Sequence, residues 1–96
     1  MDDNNQDNQN QQNDIADKLS SIKVRTLNEL LSLLPNLEGL SKERQFEIYL
    51  SALPTANDTS IAEHALESAM AIEDKTKKAE CLSELVDEID YKLATL

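Results

Sequence analysis

The sequence predicts an all-α fold of about four helices, forming a small antiparallel bundle or two stacked helical hairpins. Three observations lead to this prediction. From Ile15 onward, apolar residues recur at intervals of three and four, which is the period of an amphipathic helix. The 96-residue chain has one glycine and two prolines, too few turn residues for a small β-protein. Polar breaks at residues 35–39, 54–60 and 74–76 separate the periodic segments.

The first fourteen residues differ in composition from the rest of the chain. They contain five Asn, four Gln and four Asp, and Met1 is their one apolar residue. Such a segment buries too little apolar surface to offset the entropy lost on ordering. We therefore expect a disordered tail over residues 1–14, followed by a single helical domain over residues 15–96.

The first helix is predicted from about Asp14, a good N-cap residue, to Leu34. Pro35 cannot continue a helix without the loss of a backbone hydrogen bond, and Gly39 follows it in the same polar break. The predicted core face of this helix consists of apolar residues at helical spacing: Leu19, Ile22, Leu27, Leu30, Leu31 and Leu34.

The second helix is predicted over residues 42–53, between Ser41 and Pro54. Pro54 closes a short motif, because LSLLP at residues 31–35 returns as LSALP at residues 50–54, and more loosely as LSELV at residues 82–86. The apolar residues of the second helix repeat the helical spacing at Phe46, Tyr49, Leu50 and Leu53.

The third helix is predicted from Ile61 to about Glu73. Ser60 and Glu63 fit a capping box, in which each side chain satisfies a free backbone N–H at the helix start. A polar corner at residues 74–76 leads into the fourth helix, residues 77–93. The predicted core faces of the third and fourth helices are Ala62, Ala65, Leu66, Ala69 and Ile72, then Ala79, Leu82, Leu85, Val86, Ile89 and Leu93.

Residues 61–89, IAEHALESAMAIEDKTKKAECLSELVDEI, resemble the helical-hairpin repeats of bacterial and cyanobacterial α-solenoids of the tetratricopeptide or HEAT type. The matching positions are mostly packing residues: Ala65, Leu66, Ala69, Ile72, Asp74, Lys78, Ala79, Leu82 and Leu85. The resemblance implies stacked helical hairpins. It also implies a protein-binding role, because such repeats usually serve as scaffolds or regulatory modules.

Composition excludes several classes of protein. Nineteen acidic against nine basic side chains give a net charge of −10, which argues against a protein that binds nucleic-acid phosphates or anionic membranes directly. The longest apolar run is four residues, whereas a membrane-spanning helix needs about 20. Because the chain has one cysteine and no basic start followed by an apolar stretch, we expect a cytoplasmic protein without a secretory leader.

The sequence offers little chemistry for catalysis. The single histidine, His64, falls beside the apolar stripe of the third helix, which predicts a rim or exposed position, and Cys81 is expected to be half-buried. A Cys–His dyad would need the third and fourth helices side by side. Zinc sites need several Cys or His ligands, and a phosphate-binding loop needs more glycine than Gly39. We therefore expect no catalytic, cofactor-binding or metal-binding residues.

Two groups of residues form the candidate partner-binding surface. Acidic side chains cover the solvent side of the fourth helix, at Glu80, Glu84, Asp87 and Glu88. Phe46 and Tyr49 lie on one side of the second helix, where packing in the core is the common role of aromatic residues. An exposed aromatic residue there would anchor a partner, because aromatic side chains dominate interface energies.

Three hypotheses for function follow. The leading one is a non-enzymatic protein–protein interaction module, a small acidic adaptor or regulatory subunit that binds another protein. The alternative is an acidic inhibitor of the phage type, which mimics nucleic acid and blocks a basic nucleic-acid-binding protein. The third is a structural subunit that forms a homo-oligomer. None of the three involves direct contact with nucleic acid or a membrane.

Overall fold

The computed structural model describes the backbone of residues 2–96 and the side chains of residues 12–96. Within this range the chain forms four α-helices and no strand: α1 (Asp2–Leu33), α2 (Lys42–Ala52), α3 (Ser60–Met70) and α4 (Lys75–Ala94). Short 3₁₀ helices follow α1 at Leu34–Asn36 and α2 at Leu53–Thr55. The predicted all-α class with four helices is confirmed. α1 begins at Asp2 and not near Asp14 as predicted, and the side chains of residues 1–11, where most of the predicted disordered tail falls, lie outside the described range.

The chain divides into two compact units, Met1–Leu33 and Leu34–Leu96. The first unit contains α1, a single helix with no second element in its own unit to cover its apolar side chains. Leu19 and Ile22, which the sequence assigns to the core, are 60% and 55% exposed. That prediction is wrong, because helical periodicity identifies an apolar face but not what covers it.

The second unit consists of α2, α3 and α4, which pack against one another. Phe46 is its largest fully buried side chain, and Ala65 and Ala69 on α3 are also fully buried, as expected where a neighbouring helix approaches closely. The buried apolar residues of this unit are Leu34, Phe46, Ile48, Tyr49, Ala52, Leu53, Ala65, Ala69, Ile72 and Leu85.

The buried faces of α3 and α4 are narrower than the sequence predicts. Leu66 on α3 is exposed, and so are Ala79, Val86 and Leu93 on α4, although the helical spacing places all four in the core. A three-helix unit covers only the central line of each apolar stripe, so residues at the edges of the stripe stay in contact with solvent.

The repeated motif at residues 31–35 and 50–54 forms the same structure twice. At both places an α-helix ends, a one-turn 3₁₀ helix follows, and the leucine before the proline, Leu34 or Leu53, is buried. The carbonyl of each leucine accepts a hydrogen bond from the backbone N–H three residues later, at 3.2 Å and 3.1 Å. The looser copy at residues 82–86 has no proline and lies inside α4. The motif therefore works as a helix terminator that anchors the chain with a buried leucine.

The start of α4 confirms the predicted separation of the third and fourth helices. Asp74 has an extended backbone, and its side chain accepts hydrogen bonds from the N–H groups of Thr76 at 2.9 Å and Lys77 at 3.2 Å. An N-cap of this kind satisfies donors that the helix itself leaves free. The corner therefore lies before residue 75 and not at residues 74–76.

The start of α3 differs from the predicted capping box. The N-cap residue is Thr59, whose side chain makes no capping hydrogen bond. The carboxylate of Asp58 accepts instead from the backbone N–H of Ser60 at 2.9 Å and from its hydroxyl at 2.6 Å. The predicted box between Ser60 and Glu63 is therefore wrong, since an aspartate two residues upstream takes the free donor first.

Candidate functional site

The outer face of α4 carries acidic side chains and one exposed aromatic ring in a single line. Glu80, Glu84, Asp87 and Tyr91 follow one another at intervals of four, three and four residues, so they share one side of the helix. All four are exposed, and Tyr91 is 68% exposed. Glu88 lies beside this line and is half-buried. We call the line of four residues the α4 face.

Three of the four predicted acidic residues, Glu80, Glu84 and Asp87, thus lie on the α4 face, whereas Glu88, expected on the solvent side, is half-buried beside it. Tyr91 was not among the predicted residues. Extending the helical spacing one step beyond Asp87 would have identified it. The three ion pairs found among residues 12–96 are Arg44–Glu47, His64–Glu67 and Lys77–Glu43, and none of them involves the α4 face. Its carboxylates are therefore available to a partner's cations.

The two aromatic residues proposed as anchors lie in the core. Phe46 is fully buried and Tyr49 is 7% exposed, so neither ring presents a surface to another protein. Tyr49 stacks on the ring of His64, with centroids 5.3 Å apart and an angle of 22° between the planes. Burial raises the pKa of the Tyr49 phenol, and the nearby carboxylate of Glu67 raises it further.

His64 lies at the rim of α3, as predicted. Its ring is about half exposed, stacks on Tyr49, and lies 3.7 Å from the carboxylate of Glu67 one turn along the helix. His64, Tyr49 and Glu67 line a shallow depression of about 320 Å³ together with Lys42 and Gln45. The stacked rings therefore connect the surface of α3 to α2.

Cys81 is half-buried on α4 among glutamates from two helices. Burial raises the pKa of its thiol, and Glu84, Glu43, Glu47 and Glu80 raise it further, in that order. A thiol in acidic surroundings forms little of the nucleophilic thiolate at neutral pH. The negative charge around Cys81 therefore contrasts with the positive charge that usually surrounds a catalytic cysteine and lowers the pKa of its thiol.

Lys92 ties the end of α4 to the turn after α2. Its Nζ donates hydrogen bonds to the carbonyl oxygens of Leu53 at 3.1 Å and Pro54 at 3.4 Å. Beside this contact lies an apolar cleft of about 520 Å³ whose walls include Ala62, Ile89 and Leu93. The lysine thus gives the carbonyl of Leu53, which already accepts from the N–H of Ala56, a second donor at the end of the second terminator motif.

The described part of the chain shows neither a metal centre nor a membrane span. Among its side chains, no three His, Cys, Asp or Glu residues are grouped so that they could hold a metal ion. No helix in the same range combines the length and the apolar character that crossing a bilayer requires.

Comparison with known proteins identifies no relative of this chain. No protein family, no curated protein and no solved structure matches it. The resemblance of residues 61–89 to α-solenoid repeats therefore stays a prediction.

Proposed function

We propose that this protein is a non-enzymatic protein–protein interaction module, a small acidic adaptor or regulatory subunit that binds a basic partner through the α4 face. The observation that carries the proposal is the position of Tyr91, a 68% exposed ring in line with Glu80, Glu84 and Asp87. An aromatic side chain supplies a large rigid contact at a small entropic cost, and it is enriched among the residues that dominate binding energy.

Charge supports the same surface. Residues 34–96 contain thirteen acidic and six basic side chains, a net charge of −7. The α4 face lies in this unit and extends over about 16 Å of helix, at 1.5 Å per residue from Glu80 to Tyr91. Carboxylates along such a line steer a positively charged surface toward the protein and speed association. Tyr91 then supplies the short-range contact that holds the complex.

Affinity capture from the native lysate with wild-type and variant full-length chains tests this proposal. Tyr91→Ala is expected to weaken capture of the main partner by tenfold or more, which corresponds to about 1.4 kcal/mol or above. Glu84→Lys is expected to weaken it by a similar factor at low salt. Met70→Ala and Glu73→Lys, at exposed positions outside the α4 face, are the matched controls and should retain binding. Equal binding by Tyr91→Ala, Glu84→Lys and their controls would contradict the proposal.

The second candidate function is the acidic inhibitor that occupies the binding groove of a nucleic-acid-binding protein. The glutamates around Cys81 favour this function. Four of them raise the pKa of the same thiol and therefore belong to one acidic region: Glu43 and Glu47 of α2, and Glu80 and Glu84 of α4. Two of them are partly neutralised, since Lys77 lies 3.5 Å from Glu43 and Arg44 lies 2.9 Å from Glu47. This pairing lowers the charge that a phosphate mimic would present.

Two measurements separate the candidates. A mimic competes with DNA or RNA for its target, and its affinity falls steeply as the salt concentration rises. It is also insensitive to Tyr91→Ala, because phosphate mimicry requires charge alone. An adaptor loses affinity on Tyr91→Ala and keeps most of its binding at physiological salt. A target that nucleic acid displaces and that tolerates Tyr91→Ala would therefore assign the inhibitor function.

A further inference from the structure

One face of α1 carries an apolar pattern that is symmetric about Thr26. Leu19 and Leu33 lie seven residues on either side of it, and Ile22 and Leu30 lie four residues on either side. At about 100° per residue, all five residues fall within about 40° of one line along the helix. Leu19, Ile22 and Leu33 are 60%, 55% and 47% exposed, and Leu30 is half-buried.

We propose that this face pairs with the same face of a second copy of the chain, so that two α1 helices lie antiparallel about a twofold axis at Thr26. Such an axis sets each residue opposite the one at the same distance on the other side of Thr26. Leu19 then meets Leu33 of the second copy, and Ile22 meets Leu30. Each contact occurs twice, as a closed twofold interface requires.

The centre of the proposed interface is suited to burial. The hydroxyl of Thr26 donates a hydrogen bond of 2.8 Å to the carbonyl oxygen of Ile22 within the same helix. Its polar donor is therefore already satisfied, and the residue can lose water without leaving an unpaired group. Threonine is also the smallest side chain of the five, which allows the two helices to approach closely at the axis.

Charges beside the apolar line are complementary under the same symmetry. Arg25 and Glu29 lie on the same edge of the face and line a groove of about 670 Å³ with Ile22, Thr26, Leu30 and Leu33. The twofold axis brings Arg25 of one copy to within about 3 Å, measured along the helix, of the level of Glu29 of the other. Two symmetric ion pairs between the copies follow.

Net charge permits a second copy to pack against this helix. Residues 12–33 contain three acidic and three basic side chains and are neutral, whereas residues 34–96 carry a net charge of −7. Two identical acidic proteins repel one another, and the repulsion is smallest where the contacting segments are neutral, as residues 12–33 are.

The length of the face sets the strength of the dimer. From Leu19 to Leu33 the helix extends over about 21 Å, at 1.5 Å per residue. Two helices in contact over that length form an interface at the small end of specific complexes, below about 1,200 Å². We therefore expect a weak dimer that dissociates on dilution.

Sedimentation equilibrium of the full-length chain over a range of concentrations tests the pairing. The wild type is expected to shift from monomer to dimer as its concentration rises. Ile22→Asp should weaken the dimer by tenfold or more, because it places a carboxylate in the apolar contact. Asp17→Arg is the control on the same helix, since residue 17 points about 180° away from residue 26. It should dimerise as the wild type does.

The ion pairs have their own test. Arg25→Glu and Glu29→Arg are each expected to weaken the dimer, and the double variant restores it because the complementary pairs are re-formed. A wild type that stays monomeric at all concentrations overturns the proposal. So does an Ile22→Asp variant that dimerises like the control, or a double variant no tighter than the single ones. A monomer that loses another protein on Ile22→Asp would assign the face to that protein instead.

Cysteine trapping tests the antiparallel arrangement on a Cys81→Ser background. Thr26→Cys is expected to form a disulfide-linked dimer, because the two residues meet at the axis at a distance compatible with a disulfide. Leu19→Cys and Leu33→Cys should each form no disulfide-linked dimer when oxidised alone, and they should cross-link to one another when mixed. Cross-linking of Leu19→Cys and Leu33→Cys separately, with none gained on mixing, would indicate parallel helices and overturn the arrangement.

Discussion

Phe46 is the residue on which the three-helix unit depends most. Its ring is 0% exposed and is the largest fully buried side chain. Replacing a buried phenylalanine with alanine costs about 3–5 kcal/mol, through lost transfer energy and the cavity left behind. A single core in a domain below about 70 residues rarely supplies more than about 3–5 kcal/mol. The unit Leu34–Leu96 is of this size, so Phe46→Ala is expected to leave it with no net stability.

Urea unfolding followed by circular dichroism measures the effect. Phe46→Ala should show no cooperative transition, and Phe46→Leu should unfold at a lower urea concentration than the wild type, with a loss of about 1–2 kcal/mol. Leu66→Ala is the control, because Leu66 is 45% exposed and should shift the midpoint little. If Phe46→Ala and Leu66→Ala unfold at the same urea concentration, the proposed core is refuted. The result also bears on binding assays, since a Phe46 variant that fails to bind would have failed to fold.

Three further predictions concern the helix caps and the cysteine. Asp74→Ala removes the N-cap of α4 and should lower the free energy of unfolding by about 1 kcal/mol, which corresponds to a fall of roughly 4–8 °C in the thermal midpoint. Thr59→Ala is the control and should have little effect, because the Thr59 side chain makes no capping hydrogen bond. Hydrogen bonds from the hydroxyl and backbone N–H of Ser60 lower the pKa of Asp58. The stability that the Asp58 carboxylate contributes is therefore present above its unfolded pKa and is lost as the pH falls through the lower pKa of the folded state. In thermal melts below about pH 4, Asp58→Asn should therefore lose less stability than the wild type does. Burial and the surrounding glutamates raise the pKa of the Cys81 thiol, so its alkylation at pH 8 should be slower than that of a free cysteine, and Glu84→Gln should accelerate it.

The helices were predictable from the sequence because two strong signals agree. Apolar spacing identifies each segment, and Pro35 and Pro54 fix where the first two helices end, since proline removes a backbone donor. The break before α4 was predicted at residues 74–76, but the helix starts at Lys75, two residues earlier than predicted, because Asp74 caps it. The competition between the carboxylates of Asp58 and Glu63 for the backbone N–H of Ser60 was not predictable, because only the backbone geometry decides between them.

Burial was harder to predict than helicity, for a physical reason. The spacing that places Leu19 and Ile22 on one face of α1 is the same spacing that places Phe46 and Tyr49 in the core. What differs is whether another element of the same unit covers the face, and periodicity contains no information on that. The acids of the α4 face were predictable, because charged side chains remain in solvent, whereas the exposure of Tyr91 does not follow from its residue type.

The two proposed surfaces lie on different helices, and this has a consequence for binding. Pairing through α1 gives one assembly two copies of the α4 face. When a partner with two basic sites has bound one α4 face, its second site is held close to the other α4 face of the same dimer. The second contact is therefore intramolecular, and the partner binds the dimer more tightly than it binds a single α4 face. Ile22→Asp should lower that affinity for such a partner while leaving binding to a single site unchanged, whereas Tyr91→Ala should lower both. The two variants therefore distinguish loss of pairing from loss of the binding surface.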